Sequence, residues 1–354
     1  MRRKTRAVKV GKITVGGDAP ISVQSMLNTK NGDILAAIKQ TESLKSAGCD
    51  IVRLAVTDEK SIEVVRALKE NVDIPLVADI QFDYRMALMA IENGIDKIRL
   101  NPGNIGSDDK VRSVVSAATE RNIPIRVGVN SGSVSNEIAQ KFGRYSPEGL
   151  TEEAMRHIRI LEDCNFNDIV VSLKASDVLT MIKSYKMISK RCDYPLHLGV
   201  TEAGTSYTGI IKSSVGIGSL LAEGIGDTIR VSLTDKPEEE IRAGIEILKA
   251  LKLRTGGATL VSCPTCSRCS INLIDIANEV QKRLWEIPFD IKVAVMGCVV
   301  NGPGEAQGAD IGITGAKGEG LVFKKGEIIR RVPEDKIVDE LFVEIDKLIK
   351  ERNN

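Results

Sequence analysis

Histidine is nearly missing from this chain: there are two in 354 residues, and none follows His197. Charge of one sign is missing too. Lys+Arg 49 against Asp+Glu 48 leave +1, so no global field recruits nucleic acid. No apolar run approaches about 18 residues, so no segment is expected to span a membrane. The basic start Arg2-Arg3-Lys4-Thr5-Arg6 lacks the apolar stretch of a signal peptide and reads as a solvated edge. Repeats, heptads and low-complexity segments are absent. The seven cysteines are an odd number in a long chain, which argues against a disulfide framework and for reduced thiols in a cytoplasmic protein.

What is present is alternation. Short strand-like runs at 21–24, 51–54, 76–79, 97–100, 125–129, 169–173, 196–200 and 229–233 are separated by helix-length segments such as 34–47, 60–71, 110–121, 151–164 and 238–253. Eight strands alternating with helices over about 250 residues predict a (β/α)8 TIM barrel. An open doubly wound sheet shows the same alternation; the number eight favours the barrel. The pattern breaks at Arg254-Thr255-Gly256-Gly257, so residues 1–255 are expected to form the barrel and 256–354 a small α+β domain.

Reacting groups in such barrels come from the carboxyl ends of the strands. Those ends here carry Arg53, Asp79, Arg99 with Asn101, Arg126 with Asn130, Lys174, Glu202, and Arg230 with Ser232. Charges inside apolar runs are costly unless they meet a partner or a ligand. Four Arg and one Lys against two acids leave a positive surplus of three, which suits a diphosphate better than internal ion pairing. Glu202 is the first acid–base candidate and Asp79 the second; either would serve alternatively to orient an arginine. His197, mid-strand, reads as a core histidine, and His157 lies within a helix. The loops 101–106 and 204–209 are glycine-rich, a weak signal for phosphate. Cys49, Cys164 and Cys192 read as small buried hydrophobes.

The other cysteines carry chemistry. Cys263-Pro264-Thr265-Cys266 offers two thiols to one centre, and Cys298, in a loop running to Glu305, approaches from elsewhere. Counting Cys269 extends the first loop to the Cys-x-x-Cys-x-x-Cys run of a 4Fe–4S protein. Zinc takes Cys ligands at this spacing as well, but a structural zinc site usually closes with a second Cys-x-x-Cys or with histidines, and no histidine follows His197.

With these residues in hand, the chain resembles the bacterial 4-hydroxy-3-methylbut-2-enyl diphosphate synthases, in their short two-domain form. The resemblance rests on Val23-Gln24-Ser25-Met26, 76–80, 99–106, Lys174-Ala175-Ser176-Asp177, 196–204, 263–268 and 297–305, and so covers essentially the whole chain. It implies a small iron–sulfur domain whose 4Fe–4S cluster is held by Cys263, Cys266, Cys298 and Glu305. It further implies reductive opening and dehydroxylation of 2-C-methyl-D-erythritol 2,4-cyclodiphosphate, with electrons from ferredoxin or flavodoxin, in a head-to-tail homodimer. Arg53, Arg99, Arg126, Asn130, Lys174, Arg230 and Ser232 would bind the diphosphate, with Glu202 and Asp79 near the reacting carbon. The resemblance departs at Gln81, where many members have histidine; an amide donates a hydrogen bond but exchanges no proton. Two rivals remain at this point: a non-redox barrel enzyme acting on a phosphorylated metabolite, with a structural zinc, and a cluster-bearing regulator.

Overall fold

The computed structural model describes residues 2–300, 306, 308–316 and 318–353, with side chains except at 103, 104, 108 and 353. The chain divides into two compact units, Met1–Arg254 and Thr255–Asn354.

In the first unit a hairpin, β1 (Val8–Val10) and β2 (Ile13–Val15), precedes eight parallel strands: β3 (Ser22–Met26), β4 (Ile51–Ala55), β5 (Leu76–Asp79), β6 (Lys97–Leu100), β7 (Ile125–Asn130), β8 (Ile169–Lys174), β9 (His197–Leu198) and β10 (Thr228–Ile229). They pair in chain order, β10 returns to β3, and a parallel bridge from Val171 to Leu196 closes the ring between β8 and β9. This is the expected (β/α)8 barrel. Strands β9 and β10 are shorter than their apolar runs. Arg230 N still donates to Leu198 O at 2.9 Å, and the ladder stops at Gly199, which has no side chain to pack across strands.

Alternation along each strand sorts residues onto two faces. Val52, Leu54, Leu76, Ala78, Ile98, Leu100, Val171 and Leu173 face outward and join one core with the surrounding helices. Those helices are α1 (Ile34–Ser46), α2 (Glu59–Asn71), α3 (Tyr84–Glu92), α4 (Pro102–Ile105), α5 (Asp108–Glu120), α6 (Asn136–Phe142), α7 (Pro147–Glu162), α8 (Val178–Ile188), α9 (Ser206–Ala222) and α10 (Pro237–Ala250). In α2, Ile62, Val65 and Leu68 recur at helical spacing and are buried, while Asp58 and Ser61 form a capping box that satisfies the first amides. On the inner face, Ile51 and Val77 pack with Val10 and Val15, so the hairpin plugs the amino-terminal end of the barrel.

The second unit is a five-stranded sheet: β11 (Thr259–Ser262), β12 (Lys292–Met296), β13 (Ile311–Ala316), β14 (Glu319–Lys324) and β15 (Glu327–Pro333), the first three parallel and the rest antiparallel. Two helices, α11 (Leu273–Leu284) and α12 (Ile337–Asn353), share a core with Val293, Val295, Ile311, Ile313 and Val322. Ala294, Met296 and Phe323, on the opposite face, pack with Ala306 and Ala309. Sequence spacing places the first helix at 270–285; it begins instead at Leu273 behind Asn272, so Cys269 does not open it. No helix among the described residues is long and apolar enough to cross a membrane.

Candidate active site

The barrel's inner wall is charged. Alternation carries Arg53, Asp79, Lys97, Arg99, Arg126, Lys174 and Arg230 inward, and glycines make room for them. A Cβ at Gly128 would lie 2.5 Å from Arg99 Nε, and one at Gly199 would lie 3.2 Å from Lys174 Nζ. Asp79 accepts from Arg99 Nη1 at 2.9 Å and stands 3.7 Å from Arg53 Nε. Burial pushes its carboxyl up, but Arg53, Arg99 and Arg126 pull harder, so the net shift is down and Asp79 stays a carboxylate. A base so held is a poor proton carrier and a good arginine brace.

Arg230 is braced separately. Glu240, on α10, lies 3.3 Å from its Nε and its Nη2, and the same carboxylate accepts from Ser25 Oγ at 2.9 Å and Leu233 N at 3.0 Å. Six basic side chains thus face two carboxylates among the described residues of the wall. Burial, partly offset by Asp79, draws Arg53 down to about 10. Arg126 is 1 % exposed, and its Nε and Nη1 have no protein partner. Burial and then Arg53 and Arg99 push it well below its usual value, yet a guanidinium does not discharge in a protein. The cost of burying it charged is therefore not offset by any protein acceptor at Nε or Nη1. Lys174 is buried among four of these arginines, and burial and their charges push its ammonium down.

Around the mouth, Asn130 ends β7 and its backbone exchanges hydrogen bonds with Ser133 Oγ, while Ser232 is half-buried beyond β10. Glu202 is exposed two residues beyond Val200, with φ of +53°, a left-handed conformation that side chains other than glycine adopt at a cost. Gln81 is exposed after β5. His197 is fully buried as expected of a core residue, but only Nδ1 has a neighbour, Thr228 Oγ1 at 3.4 Å. His157 sits 2.8 Å from Glu153 on its own helix. Cys49 is buried, and Cys164 and Cys192 are half-buried against the barrel core.

Two further residues belong to the wall, Lys97 and Glu240. Lys97 lies two positions before Arg99, so strand alternation alone puts it on the same face. Glu240 lies in the run Glu238-Glu239-Glu240, which reads as an acidic first helical turn; only burial separates Glu240 from its neighbours.

In the second unit two loops meet. Cys263 Sγ accepts from Gly297 N at 3.2 Å, Ser270 N donates to Gly297 O at 2.9 Å, and a Cβ at Gly297 would lie 2.8 Å from Cys269 Sγ. Cys298, buried, follows directly; Cys266 is exposed, and hydrogen bonds from Arg268 lower its thiol pKa. Among the described residues no three acidic, histidine or cysteine side chains converge as they would on a single metal ion. The donor set nevertheless fits a cluster, in which each iron takes its own protein ligand and the donors need not converge on one point. Glu305 lies outside the described residues.

A closed barrel with a cationic interior, followed by a unit that brings cysteines together on two loops, defines a (β/α)8 barrel protein with an appended thiol-rich domain. Known proteins narrow the class. The GcpE TIM-barrel domain matches residues 5–245 and the GcpE protein C-terminal domain matches 259–347, and the chain belongs to this family. It is 57% identical to a 4-hydroxy-3-methylbut-2-en-1-yl diphosphate synthase (flavodoxin) of Ruminiclostridium cellulolyticum, covering 98% of each chain. It is 59% identical to that of Clostridium acetobutylicum, covering 98% of this chain and 99% of that one. With the Geobacter sulfurreducens protein of the same name it shares 55%, covering 100% of both. Among solved structures, the Yersinia pestis dihydropteroate synthase superposes with a TM-score of 0.50 at 14% identity, covering 70% of this chain and 97% of that one. That likeness shows the fold alone.

Proposed function

We propose that this chain is an iron–sulfur oxidoreductase of the non-mevalonate isoprenoid pathway. It opens the ring of 2-C-methyl-D-erythritol 2,4-cyclodiphosphate and removes a hydroxyl, giving 4-hydroxy-3-methylbut-2-enyl diphosphate with the uptake of two electrons. The observation that carries this reading is the wall's excess of cations over carboxylates, in a chain alike over its full length to synthases of that name. A non-redox barrel with structural zinc accounts for the first unit but not for likeness to these synthases that runs on through the second.

In this reading the first unit is the substrate domain and the second holds the cluster. Arg53, Arg99, Arg126, Lys174 and Arg230 bind the diphosphate, each charge-assisted contact contributing about 1.5–3 kcal/mol. Asp79 and Glu240 hold three of the guanidiniums in place beforehand, so little ordering remains to be done on binding. Asn130, Ser232 and Gln81 add neutral hydrogen bonds around the mouth. Glu202 delivers the proton to the departing oxygen, and Asp79, tied to two arginines, shapes the charge beside the reacting carbon.

Cys263, Cys266, Cys298 and Glu305 are the residues we assign to a 4Fe–4S cluster, three thiolates and one harder, more exchangeable carboxylate. When bound, such a cluster supplies the electrons and one Lewis-acidic iron. Curated relatives named for flavodoxin support reduced flavodoxin over ferredoxin as the donor. Tyr207, Ile210, Ile211 and Val215 make an exposed apolar stripe along α9, which supports a homodimer, head-to-tail in our reading. That none of the seven cysteines is in a disulfide fits a cytoplasmic setting.

The test is anaerobic purification followed by turnover of the cyclodiphosphate with a chemical reductant. A brown protein that forms the linear diphosphate supports the reading. A colourless protein carrying one zinc, or a brown one without turnover, overturns it.

A further inference from the structure

Lys97 sits one layer below the residues assigned to the diphosphate. It is fully buried, and its Nζ has no hydrogen-bond partner. In register it pairs with Val77, which packs onto the hairpin plug, while Arg99, two residues on, pairs with Asp79 and Arg126. The inward groups around it are Gln24 from β3, Arg53 from β4, Asp79 from β5, Arg99 from β6 itself, Arg126 from β7, Lys174 from β8, His197 from β9, and Thr228 and Arg230 from β10 and its extension. The only carboxylate among them is Asp79, already committed to Arg99 and Arg53. Gln24, also buried, has neither amide atom paired to protein.

A buried ammonium without an acceptor is among the costliest groups a fold can hold. The arginines here have no way to relieve that cost, because a guanidinium keeps its proton. Lysine has one: it can shed the proton and lie as an amine. Burial first, then Arg126 and Arg53, all push Lys97 in that direction. Lys174 differs in being 8 % exposed at the open end, with an Nζ not shut away from water and partners alike.

We infer that Lys97 is a neutral amine in the substrate-free protein and takes up one proton when the cyclic diphosphate binds above it, so that binding and proton uptake are coupled. This rests on the substrate assignment made above. The step balances simply: the amine and one solvent proton give an ammonium, with no electron transferred. The ligand brings no proton of its own, because each phosphorus of a cyclic diphosphate keeps one strongly acidic oxygen and arrives ionised. Two negative charges placed over the wall offset the repulsion from Arg126 and Arg53, and Lys97 then adds a cation beneath the ligand. Lys97 is thus a positioning residue for the anion site, with a charge that follows occupancy.

The experiment is calorimetric titration of the cluster-loaded protein with the cyclodiphosphate, without reductant, in phosphate-free buffers of different ionisation enthalpy. Wild type should take up about one proton per site, and its affinity should fall by up to about tenfold per pH unit across the window where uptake occurs. Lys97→Met, apolar and of similar length, should bind with uptake near zero and a flat pH profile. Equal uptake in both proteins places the proton on His197 or Lys174 and overturns the inference. Should wild type bind no cyclodiphosphate at all, the substrate assignment is what fails. Lys97 is then tested by stability in denaturant without ligand. The unfolded lysine holds its proton up to about pH 10.4, and the folded one releases it lower. The unfolded state therefore binds more protons between the two values, and wild-type stability should rise with pH there. Lys97→Met should lose that rise and be the more stable protein at neutral pH. Identical pH slopes in the two proteins reject the neutral amine.

Discussion

The two units hold charge in opposite ways. On the barrel wall, strand alternation fixes every cation, glycines at 128 and 199 clear space, and Asp79 and Glu240 brace three arginines before any ligand is present. In the second unit the cysteines ride on two loops joined through Gly297, and Cys266 stands exposed. A site for a dianion can be built into strands, because the repulsion it stores is spread over a rigid sheet. A site for a metal cluster gains its final geometry from the metal itself, because binding energy and folding energy of the loops are then the same quantity.

The sharpest way to break that comparison is to remove a thiol. Cys263→Ser, Cys266→Ser and Cys298→Ser should each abolish the visible iron–sulfur absorption and all turnover, while far-ultraviolet circular dichroism stays that of the folded barrel. Glu305→Gln should assemble a more fragile cluster with little turnover. Iron content equal to wild type in any of the three serine variants would show that the loops do not depend on that thiol. Glu202→Gln comes next. Gln keeps the size and one acceptor but carries no proton, and general acid–base groups contribute typically about 10²–10⁴ in rate. Turnover should fall by that range with substrate affinity and cluster retained; wild-type turnover would reduce Glu202 to an orienting group.

A smaller effect belongs to the wall. Arg126→Ala and Arg230→Ala should each weaken binding of the cyclodiphosphate roughly ten- to a hundredfold, at about 1.5–3 kcal/mol per lost contact, with iron content unchanged. Normal affinity in either variant would make that arginine structural. Arg126 is the more telling of the two, since its buried guanidinium has two nitrogens without protein partners and its removal relieves repulsion on Arg53 and Arg99. A more stable but weaker-binding Arg126→Ala would show that the wall trades stability for affinity.

These effects also mark where sequence reading works. Eight apolar runs separated by helix-length segments are enough to expect the barrel, since period and number are local properties. Arg53, Arg99, Arg126 and Arg230 are legible because a charge inside an apolar strand run is conspicuous. Lys97 was just as legible by alternation, but it stands at the start of its run, where a lysine passes for a solvated strand end. Glu240 was not legible: nothing local separates it from Glu238 and Glu239, and its role depends on Arg230 and Ser25, the latter more than two hundred residues away. The start of α11 is illegible for the same reason, since Asn272 N, just ahead of it, donates to Glu334 Oε1 sixty-two residues away, whereas β9 and β10 are shortened locally, at Gly199.

The smallest expected effect concerns Cys269, where the spacing of three cysteines and the likeness to the synthases part company. Spacing makes it a fourth thiolate beside Cys263, Cys266 and Cys298. Its surroundings are those of a packing residue: half-buried against the core of the second unit, with Sγ 3.2 Å from Ile271 O and its backbone N donating to Cys266 O at 3.0 Å. A hydroxyl reproduces the hydrogen bond to Ile271 and loses only a little volume and apolar contact. Cys269→Ser should therefore keep its colour, its iron and most of its activity, at a stability loss of about 1 kcal/mol. The comparison of the two units turns on this residue, because a catalytic cluster needs one exchangeable ligand and four thiolates leave none. A colourless, inactive Cys269→Ser beside a fully active Glu305→Gln would move the fourth ligand from the carboxylate to the thiol.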